Sequence, residues 1–422
     1  MEGSDTLKES KTIEFKETIT NSFLKTVSAY ANYATGEIIF GISDDGSTKG
    51  IDNPEKLCLD IENKINDSIV PVPFYSLEID EKQSIIRLIV QEGLHKPYLY
   101  KSKAYRRSDT ATIEVDRLEL SRLILEGEDV SFEELPAKKQ ELTFEILRKK
   151  IDIILNLQEF GQDTLKTLEL YSDADGINNA GELLADENGF CGIDIVRFGD
   201  SINVIHDRVT LEHQSIIKDY DDAIEMYRKY YQYEQIKGAY REKIVLVPEE
   251  AFREAIANAI VHRTWDINTH INVAMFADRI EITSPGGLPK GMHEEEYYRG
   301  GISIPGNRII ATIFLRLQMI ERFGTGIKRI MEAYVDSKLK PTFEIGENSI
   351  KIVLPVISEI NALSIDEDKI YSLIKGRVIS SSAIIEATGF GKTKVVQILN
   401  HLNSEGYIRK IGNGRGTKYA AD

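Results

Sequence analysis

Short apolar runs of strand length alternate with longer amphipathic segments through the first 355 residues of this chain. A helical pattern over 22–33 precedes an apolar run over 37–42, and a helical pattern over 53–68 precedes strand-like runs over 74–79 and 84–90. Apolar residues recurring every three to four positions indicate one buried face of a helix, whereas short apolar runs between turn residues indicate strands. The alternation therefore predicts an α/β (α+β) multidomain protein.

The length of 422 residues, at roughly 150 residues per domain, predicts about three domains. The helical pattern over 118–134 becomes acidic toward its end and stops before Pro136, which indicates a linker near 128–142. From residue 363 the pattern changes to short helices and a two-strand ribbon. We predict domains with the boundaries 1–128, 140–357 and 363–422.

Net charge and cysteine content narrow the class of protein. Lys and Arg number 52 against 68 Asp and Glu, a net charge of −16, which excludes a uniformly basic nucleic-acid coat but not a local basic patch. Two cysteines exclude a disulfide scaffold or a cysteine zinc cluster. No apolar run approaches the roughly 18 residues of a membrane span, and the N-terminus has no apolar core. We therefore expect a cytoplasmic protein with no membrane partner.

The C-terminal segment has the pattern of a winged helix, in which the third helix enters the DNA major groove and the wing contacts the backbone. From residue 375 onward, eight Lys or Arg against three acids give +5, which suits phosphate contacts. The helix predicted over 392–404 should pack Val395, Val396, Leu399 and Leu402 inward. We expect nucleic-acid contacts from Lys392, Thr393, Lys394 and Gln397 on its outer face and from Arg415 in the wing. The alternative is a dimerisation or protein-contact module.

Carboxylates near the N-terminus form a candidate metal site. Glu9 and Glu14 lie five residues apart with Lys16 two positions further on, and Asp44 follows a strand-like run. Three carboxylates from separate segments could hold a divalent cation that activates water at a phosphate. Acidic residues in turns are also commonly just solvated, so this alternative stays open.

Four segments resemble the Schlafen/AlbA-type domain. They read ESKTIEFK at 9–16, VSAYAN at 27–32, EIIFGISDDG at 37–46 and YRRS at 105–108. In Schlafen members that cut RNA, two glutamates and an aspartate are used. The resemblance places Mg²⁺ or Mn²⁺ on Glu9, Glu14 and Asp44, with Lys16 stabilising the phosphate. Arg106 and Arg107 fall on the family's basic strand, and the resemblance implies that they contact nucleic acid. The chain departs from the family at 34–37, ATGE, in the turn before the strand.

A second candidate site lies in the middle segment. Glu254 and Asn258 are four residues apart in a helical pattern, which places them on one face of a helix. A carboxylate and a carboxamide so placed can position water and Mg²⁺ at a triphosphate. Glycine clusters follow at Gly286 and Gly287 and at Gly324, Thr325 and Gly326, the second running into a helix whose amides could bind an anion. Alternatively, the polar pair bonds locally and the glycines only form turns.

These motifs resemble the GHKL ATPases, and most closely the branch that follows a Schlafen/AlbA-type domain. The segments are DRIEITSPGGLP at 278–289, GNR at 306–308 and IERFGTGI at 320–327. The resemblance implies a GHKL-like α/β sandwich that binds ATP or another nucleotide, with Mg²⁺ at Asn258. Two departures bear on this: Ser284 stands where other GHKL proteins have an adenine-binding aspartate, and HRTW at 262–265 lacks an acid often found there.

Two histidines and the two cysteines carry no signal for a further site. His206 and His213 have no partner cysteine at metal-ligand spacing. Neither Cys58 nor Cys191 has a matched histidine or a basic neighbourhood that indicates a nucleophile.

Two functions fit these features. The first is a nucleic-acid-binding, nucleotide-responsive regulator of the DNA-binding transcription type, with weak ATPase activity at most. The alternative is an Mg²⁺- or Mn²⁺-dependent RNA or DNA endonuclease, acting as a defence effector gated by the ATP-binding module. A non-catalytic interaction scaffold is a third reading. Both resemblances imply a homo-oligomer.

Overall fold

The structure is a computed structural model that describes most of the chain. The described residues are 8–155, 159–237, 240–289, 292–299, 301, 305–321, 324–357, 365–404, 406–412 and 417–421. They form a mixed α/β architecture with several separate sheets, which confirms the predicted fold class. Two compact units take up the ranges 1–148, 156–187 and 307–310 for the first, and 149–155, 188–306 and 311–422 for the second. The three predicted domain boundaries stay a prediction.

The first unit is built around a four-stranded sheet. The strands of the whole unit are β1 (Ile13–Lys16), β2 (Gly36–Phe40), β3 (Ile69–Val70), β4 (Tyr75–Asp80), β5 (Ile85–Val90), β6 (Leu99–Tyr100), β7 (Tyr105–Ser108), β8 (Ala111–Glu114), β9 (Tyr171–Ser172) and β10 (Gly176–Ile177). The sheet has the order β1-β2-β5-β4, with β1 parallel to β2 and the other pairs antiparallel. The helices of this unit are α1 (Phe23–Tyr33), α2 (Pro54–Ser68), α3 (Arg117–Gly127), a 3₁₀ turn (Phe132–Glu134), α5 (Gln162–Thr167) and α6 (Asn179–Leu184), and α4 (Glu145–Leu155) begins in it.

Helix α1 is buried along most of its length, and a polar clamp holds it in place. The amide group of Asn32 donates to the carbonyl of Tyr98 at 2.9 Å and accepts the Tyr98 N–H at 2.8 Å. The hydroxyl of Ser28, one turn earlier, donates to the same carbonyl at 2.7 Å. All three residues are essentially inaccessible to solvent, so these bonds satisfy backbone groups that water cannot reach.

The second unit contains a six-stranded sheet. The six strands of this sheet are β11 (Glu187–Phe198), β12 (Ile205–Gln214), β15 (Ile271–Met275), β16 (Arg279–Pro285), β17 (Thr342–Ile345) and β18 (Ser349–Pro355), and a separate hairpin consists of β13 (Gln232–Lys237) and β14 (Tyr240–Val245). The sheet has the order β12-β11-β15-β16-β18-β17. The helices of this unit before its C-terminal elements are α7 (Ile216–Tyr231), α8 (Glu249–His262), α9 (Glu294–Arg299) and α11 (Gly326–Glu332), and α10 (Arg308–Arg316) continues into it from the first unit. Helix α8 contacts α7, α11 and β16.

The C-terminal elements follow the order helix, strand, helix, helix and two strands. They are α12 (Ile365–Ile374), β19 (Val378–Ser380), α13 (Ser381–Thr388), α14 (Lys392–Ser404), β20 (Arg409–Ile411) and β21 (Lys418–Ala420). The ribbon predicted from the sequence is thus the larger part of a three-stranded sheet, β19-β21-β20. Val395, Leu399 and Leu402 pack inward as predicted, but the expectation for Val396 was wrong: it is 37% exposed, and Ile398 takes the inner position.

Three other segments differ from their sequence patterns. The charged, tyrosine-rich pattern over 220–236 predicts one helix, but α7 ends at Tyr231, because Gln232–Lys237 pairs with Tyr240–Val245 as a hairpin. The pattern over 201–206 predicts a strand, which begins only at Ile205, as β12, and the helix predicted over 118–134 ends at Gly127. Strand pairing is a non-local interaction, so a local pattern of charged residues and tyrosines does not reveal it. Among the described residues, no helix is long and apolar enough to cross a membrane.

The Asn32 clamp predicts a local loss of stability when it is removed. Asn32→Leu leaves the buried N–H of Tyr98 without its acceptor, at about 1–3 kcal/mol, whereas the carbonyl of Tyr98 keeps its bond from Ser28. We expect faster hydrogen–deuterium exchange in peptides covering Phe23–Tyr33 of the full-length variant. Asn66→Ala, a change at an exposed asparagine, is the matched control and should leave exchange unaltered. Equal exchange in both variants would mean that the clamp contributes nothing.

Candidate nucleotide pocket and the other predicted site residues

Helix α8 presents two polar side chains to a cavity in the second unit. Ala251, Ala255 and Ala259 are among the residues that bury the rest of the helix, and this leaves Glu254 and Asn258 half-buried on one face. The Asn258 amide donates to Glu254 Oε1 at 3.2 Å. Burial raises the pKa of Glu254, and the bond from Asn258 opposes that rise. A carboxyl group with a raised pKa in a cleft is a candidate proton acceptor.

Gly326 lies directly against this pair. A Cβ atom at position 326 would stand 2.4 Å from Glu254 Oε1 and 2.7 Å from Asn258 Nδ2, so a side chain does not fit without displacing them. Gly324 takes a positive φ of 59° just before. The glycine cluster therefore brings the start of α11 close to the carboxylate and the carboxamide. Because α11 has only seven residues, its dipole is a weak source of anion binding.

The cavity beside these residues is mainly apolar with a few polar groups, the composition typical of small-molecule sites. Its polar lining includes Thr325, His262 and Ser284 besides the Glu254–Asn258 pair. Burial lowers the pKa of His262 to about 4, so its imidazole is neutral at pH 7. The apolar lining includes Ile282, Met292, Ile320, Ile327, Ile350 and Ile352.

The other glycine cluster is explained by close packing. Gly286 has φ of +109° and donates its N–H to the carbonyl of Asn348 at 2.9 Å, and a Cβ atom added to it would lie only 2.2 Å from Thr264 Oγ1. A Cβ at Gly287 would lie 2.4 Å from the carbonyl oxygen of Glu347. Both positions exclude other residues sterically. Gly286 lines the cavity, and Gly287 holds the neighbouring turn.

Ser284 lies on β16, where the sequence departs from other GHKL proteins. Its hydroxyl donates to the carbonyl of Ala259 at 2.9 Å, and the side chain is almost fully buried. The residue thus joins the sheet to α8. It brings no carboxylate to the cavity that could accept a bond from a base amino group.

In the first unit, Glu14 is the centre of a buried charge cluster. Its Oε1 pairs with Lys16 Nζ at 2.5 Å, and its Oε2 accepts bonds from Arg107 Nη1 at 2.5 Å and Thr26 Oγ1 at 2.6 Å. The Arg107 guanidinium also donates to the carbonyl of Ser10 at 3.1 Å. Arg107 is only 6% exposed and its guanidinium is bonded to Glu14. A phosphate could bind Arg107 only by replacing the Glu14 carboxylate as its partner.

The structure does not gather the three predicted metal carboxylates into one cluster. Glu9 accepts the N–H of Phe15 at 2.9 Å through its Oε1, on the same segment as Glu14. Asp44 is exposed in the turn that follows β2. Within the described ranges, only Cys191, Glu212 and His270 form a group of three with ligand atoms all within 4.8 Å of one another. This group was missed by the sequence reasoning because its members are far apart in the chain.

The residues predicted to contact nucleic acid differ in exposure. Lys392, Thr393 and Gln397 are exposed on α14, and Lys394 is exposed but pairs with Asp366 Oδ2 at 2.5 Å. Arg106 is half-exposed and pairs with Glu119 at 3.3 Å. Arg415 lies outside the described residues.

Sequence and structure comparisons relate two segments of the chain to known families. Residues 9–116 match the family described as "Schlafen, AlbA_2", and residues 268–354 match the family described as "Putative ATP-dependent DNA helicase recG C-terminal". The chain thus combines a Schlafen/AlbA-type segment with an ATPase-like segment, as the motifs predicted.

The comparisons with whole proteins add little. No curated protein matches the chain. The chain is similar to the crystal structure of the DIP2311 protein from Corynebacterium diphtheriae, with 18% identity and a TM-score of 0.47 over 98% of this chain and 92% of that one. At this level the similarity carries no functional argument.

Proposed function

We propose that this protein is a nucleic-acid-binding regulator whose second unit binds ATP or another nucleotide. The proposal rests on one observation, the convergence of Glu254, Asn258 and Gly326 at the mainly apolar cavity. The family names matched by the two segments associate such modules with nucleic acid and with ATP-dependent activity. A mixed apolar and polar cleft suits a base together with a charged phosphate tail.

In the proposed complex the pocket residues have separate tasks. Asn258 would hold Mg²⁺ through its amide oxygen, a hard ligand of the kind that Mg²⁺ prefers. Glu254, with its raised pKa, would accept a proton from water. Position 284 is a serine, so the pocket has no carboxylate there to recognise the adenine amino group, and the serine hydroxyl is already bonded to the carbonyl of Ala259. We therefore expect weak discrimination between ATP and other nucleoside triphosphates.

The C-terminal segment is the proposed DNA-contacting module. Its order of elements supports a winged helix with α14 as the recognition helix. Lys392 and Lys394 lie on the exposed side of α14, and the +5 charge of the last 48 residues would attract phosphate. The protein's overall charge of −16 then serves solubility and does not oppose local binding. Assembly into a homo-oligomer belongs to this proposal and is testable by light scattering.

The nucleotide site is tested by Gly326→Ala. The added methyl group would collide with Glu254 and Asn258, and overpacking of about 1–3 kcal/mol corresponds to a loss of about 5-fold to 150-fold in affinity. Calorimetric titration with ATP and Mg²⁺ measures the effect. Gly161→Ala, at a glycine with open space around it, is the control and should bind as the unmodified protein does. Undiminished binding by Gly326→Ala, or no binding by the unmodified protein, contradicts the proposed pocket.

The DNA-binding surface is tested by Lys392→Glu combined with Lys394→Glu. Each lost phosphate contact should reduce the slope of log affinity against log salt concentration by about 1. The slope is measured by fluorescence anisotropy with duplex DNA at salt concentrations from about 50 to 200 mM, where phosphate contacts make the affinity strongly dependent on salt. Lys138→Glu combined with Lys139→Glu makes the same charge change at two exposed lysines outside α14 and should leave the slope nearly unchanged. Equal slopes in the two variants would remove α14 from the interface.

A second candidate function is a metal-dependent nuclease, which the charge cluster of the first unit favours. Glu14, Lys16 and Arg107 lie together within the segment that matches the Schlafen/AlbA_2 family. A metal ion could use Glu14 only if Lys16 and Arg107 released it, for example on binding a phosphate. Glu9 and Asp44 would then supply the further carboxylates.

Glu14→Gln separates the two candidate functions. If the protein is a nuclease, Mn²⁺-dependent cleavage of transfer RNA or DNA should fall by at least about a hundredfold, since a metal ligand is removed. The matched control is Glu78→Gln at an exposed position of β4, which should cleave normally. Cleavage that Glu14→Gln leaves undiminished would falsify this assignment, whereas the regulator proposal does not require cleavage.

A further inference from the structure

Cys191, Glu212 and His270 bring three different metal-ligating side chains together at one place in the second unit. Cys191 lies on β11, Glu212 lies on β12, and His270 immediately precedes β15. These strands are neighbours in the order β12-β11-β15, so residues distant in sequence meet on the sheet. The sulfur, one carboxylate oxygen and one ring nitrogen all lie within 4.8 Å of one another.

We propose that these three side chains bind Zn²⁺. Zn²⁺ takes thiolate, imidazole and carboxylate ligands at about 2.0–2.3 Å, which puts tetrahedral ligands about 3.3–3.7 Å apart. His270 Nε2 already stands 3.1 Å from Glu212 Oε2. Since the other pairs lie within 4.8 Å, each needs to close by roughly 1 Å at most, which side-chain rotation supplies. Water completes the fourth position on the side where Glu212 is exposed.

A buried arginine positions the two segments that carry the sulfur and the imidazole. Arg263 donates to the carbonyls of Cys191 at 2.7 Å and Gly192 at 3.2 Å on β11. It also donates to the carbonyls of Ile267, at 3.1 Å, and Thr269 in the loop that ends at His270. One rigid guanidinium therefore fixes the backbone on both sides of the site before any metal arrives, and this reduces the ordering needed on binding.

Asn268 provides the sulfur with a polar partner. The Cys191 thiol donates to Asn268 Oδ1 at 3.1 Å. When Zn²⁺ binds, the thiol releases its proton to solvent and the sulfur becomes an acceptor. The Asn268 amide can then turn and offer its NH₂ group, since Asn carries both a donor and an acceptor. Outer contacts of this kind orient metal ligands and tune their affinity.

The ligand chemistry separates this site from the proposed nucleotide and nuclease sites. Mg²⁺ and Mn²⁺ prefer oxygen ligands, whereas thiolate and imidazole select Zn²⁺ and related transition metals. Neither the Glu254–Asn258 pair nor Glu14 belongs to the group. The inference is therefore independent of the proposed function, and loss of one does not imply loss of the other.

The test uses the full-length protein, stripped of metal, with Co²⁺ as a spectroscopic substitute for Zn²⁺. We expect a sulfur-to-cobalt charge-transfer absorption in the near ultraviolet that Zn²⁺ abolishes and excess Mg²⁺ does not. Cys191→Ser should remove the band, and Cys58→Ser, at the chain's other cysteine, should retain it. Loss of a residue that only hydrogen-bonds to a metal ligand typically weakens metal binding about 10- to 100-fold. His270→Gln removes a ligand itself and should weaken Zn²⁺ binding by more than that.

Three outcomes would overturn the proposal. They are no charge-transfer band in the unmodified protein, a band that persists in Cys191→Ser, and Zn²⁺ affinity that His270→Gln leaves unchanged. The first depends on no variant, so it decides the question even if a substitution disturbs folding. Circular dichroism of each variant shows whether the fold is retained.

Discussion

The buried guanidinium of Arg263 is the interaction on which much of the second unit depends. It is 2% exposed, stacks at 4.2 Å from the ring of Trp265, and bonds to four carbonyl groups on two segments. Burial lowers its pKa to about 10, which still leaves it charged at neutral pH. A buried cation needs hydrogen-bond acceptors, and the four carbonyl groups that accept from its Nη1 and Nη2 hold the surrounding backbone in one arrangement.

That arrangement relates the two sites of the second unit. Arg263 immediately follows His262, which lines the cavity at the end of α8, while its side chain reaches the strand that carries Cys191 and the loop that ends at His270. One residue therefore connects the end of the pocket helix to the neighbouring sheet. Gly326 is a second single residue on which the pocket depends, because the absence of a side chain there lets α11 approach Glu254 and Asn258.

The charge cluster of the first unit follows a similar rule. Glu14 is 4% exposed and lies beside Lys16, Arg107 and Thr26, so each carboxylate oxygen has a polar partner. The motif containing Glu14 pointed to a chemical role, and in this structure the residue also holds β1 to β7. A residue that stabilises a fold and one that binds metal can look alike in a sequence, because both use a carboxylate, which pairs either with a cationic side chain or with a metal cation.

The sequence by itself determined the α/β class, the bounds of helix α14, and the resemblance of two segments to known families. These features depend on local periodicity and on short motifs. Only the tertiary structure decided which side chains meet. Glu254 and Gly326 were both predicted, but their contact required α11 to pack on α8. Arg107 was predicted to face nucleic acid and instead bonds to Glu14. The grouping of Cys191 with Glu212 and His270 left no trace in sequence spacing, because it arises from the lateral order of strands, which non-local pairing decides.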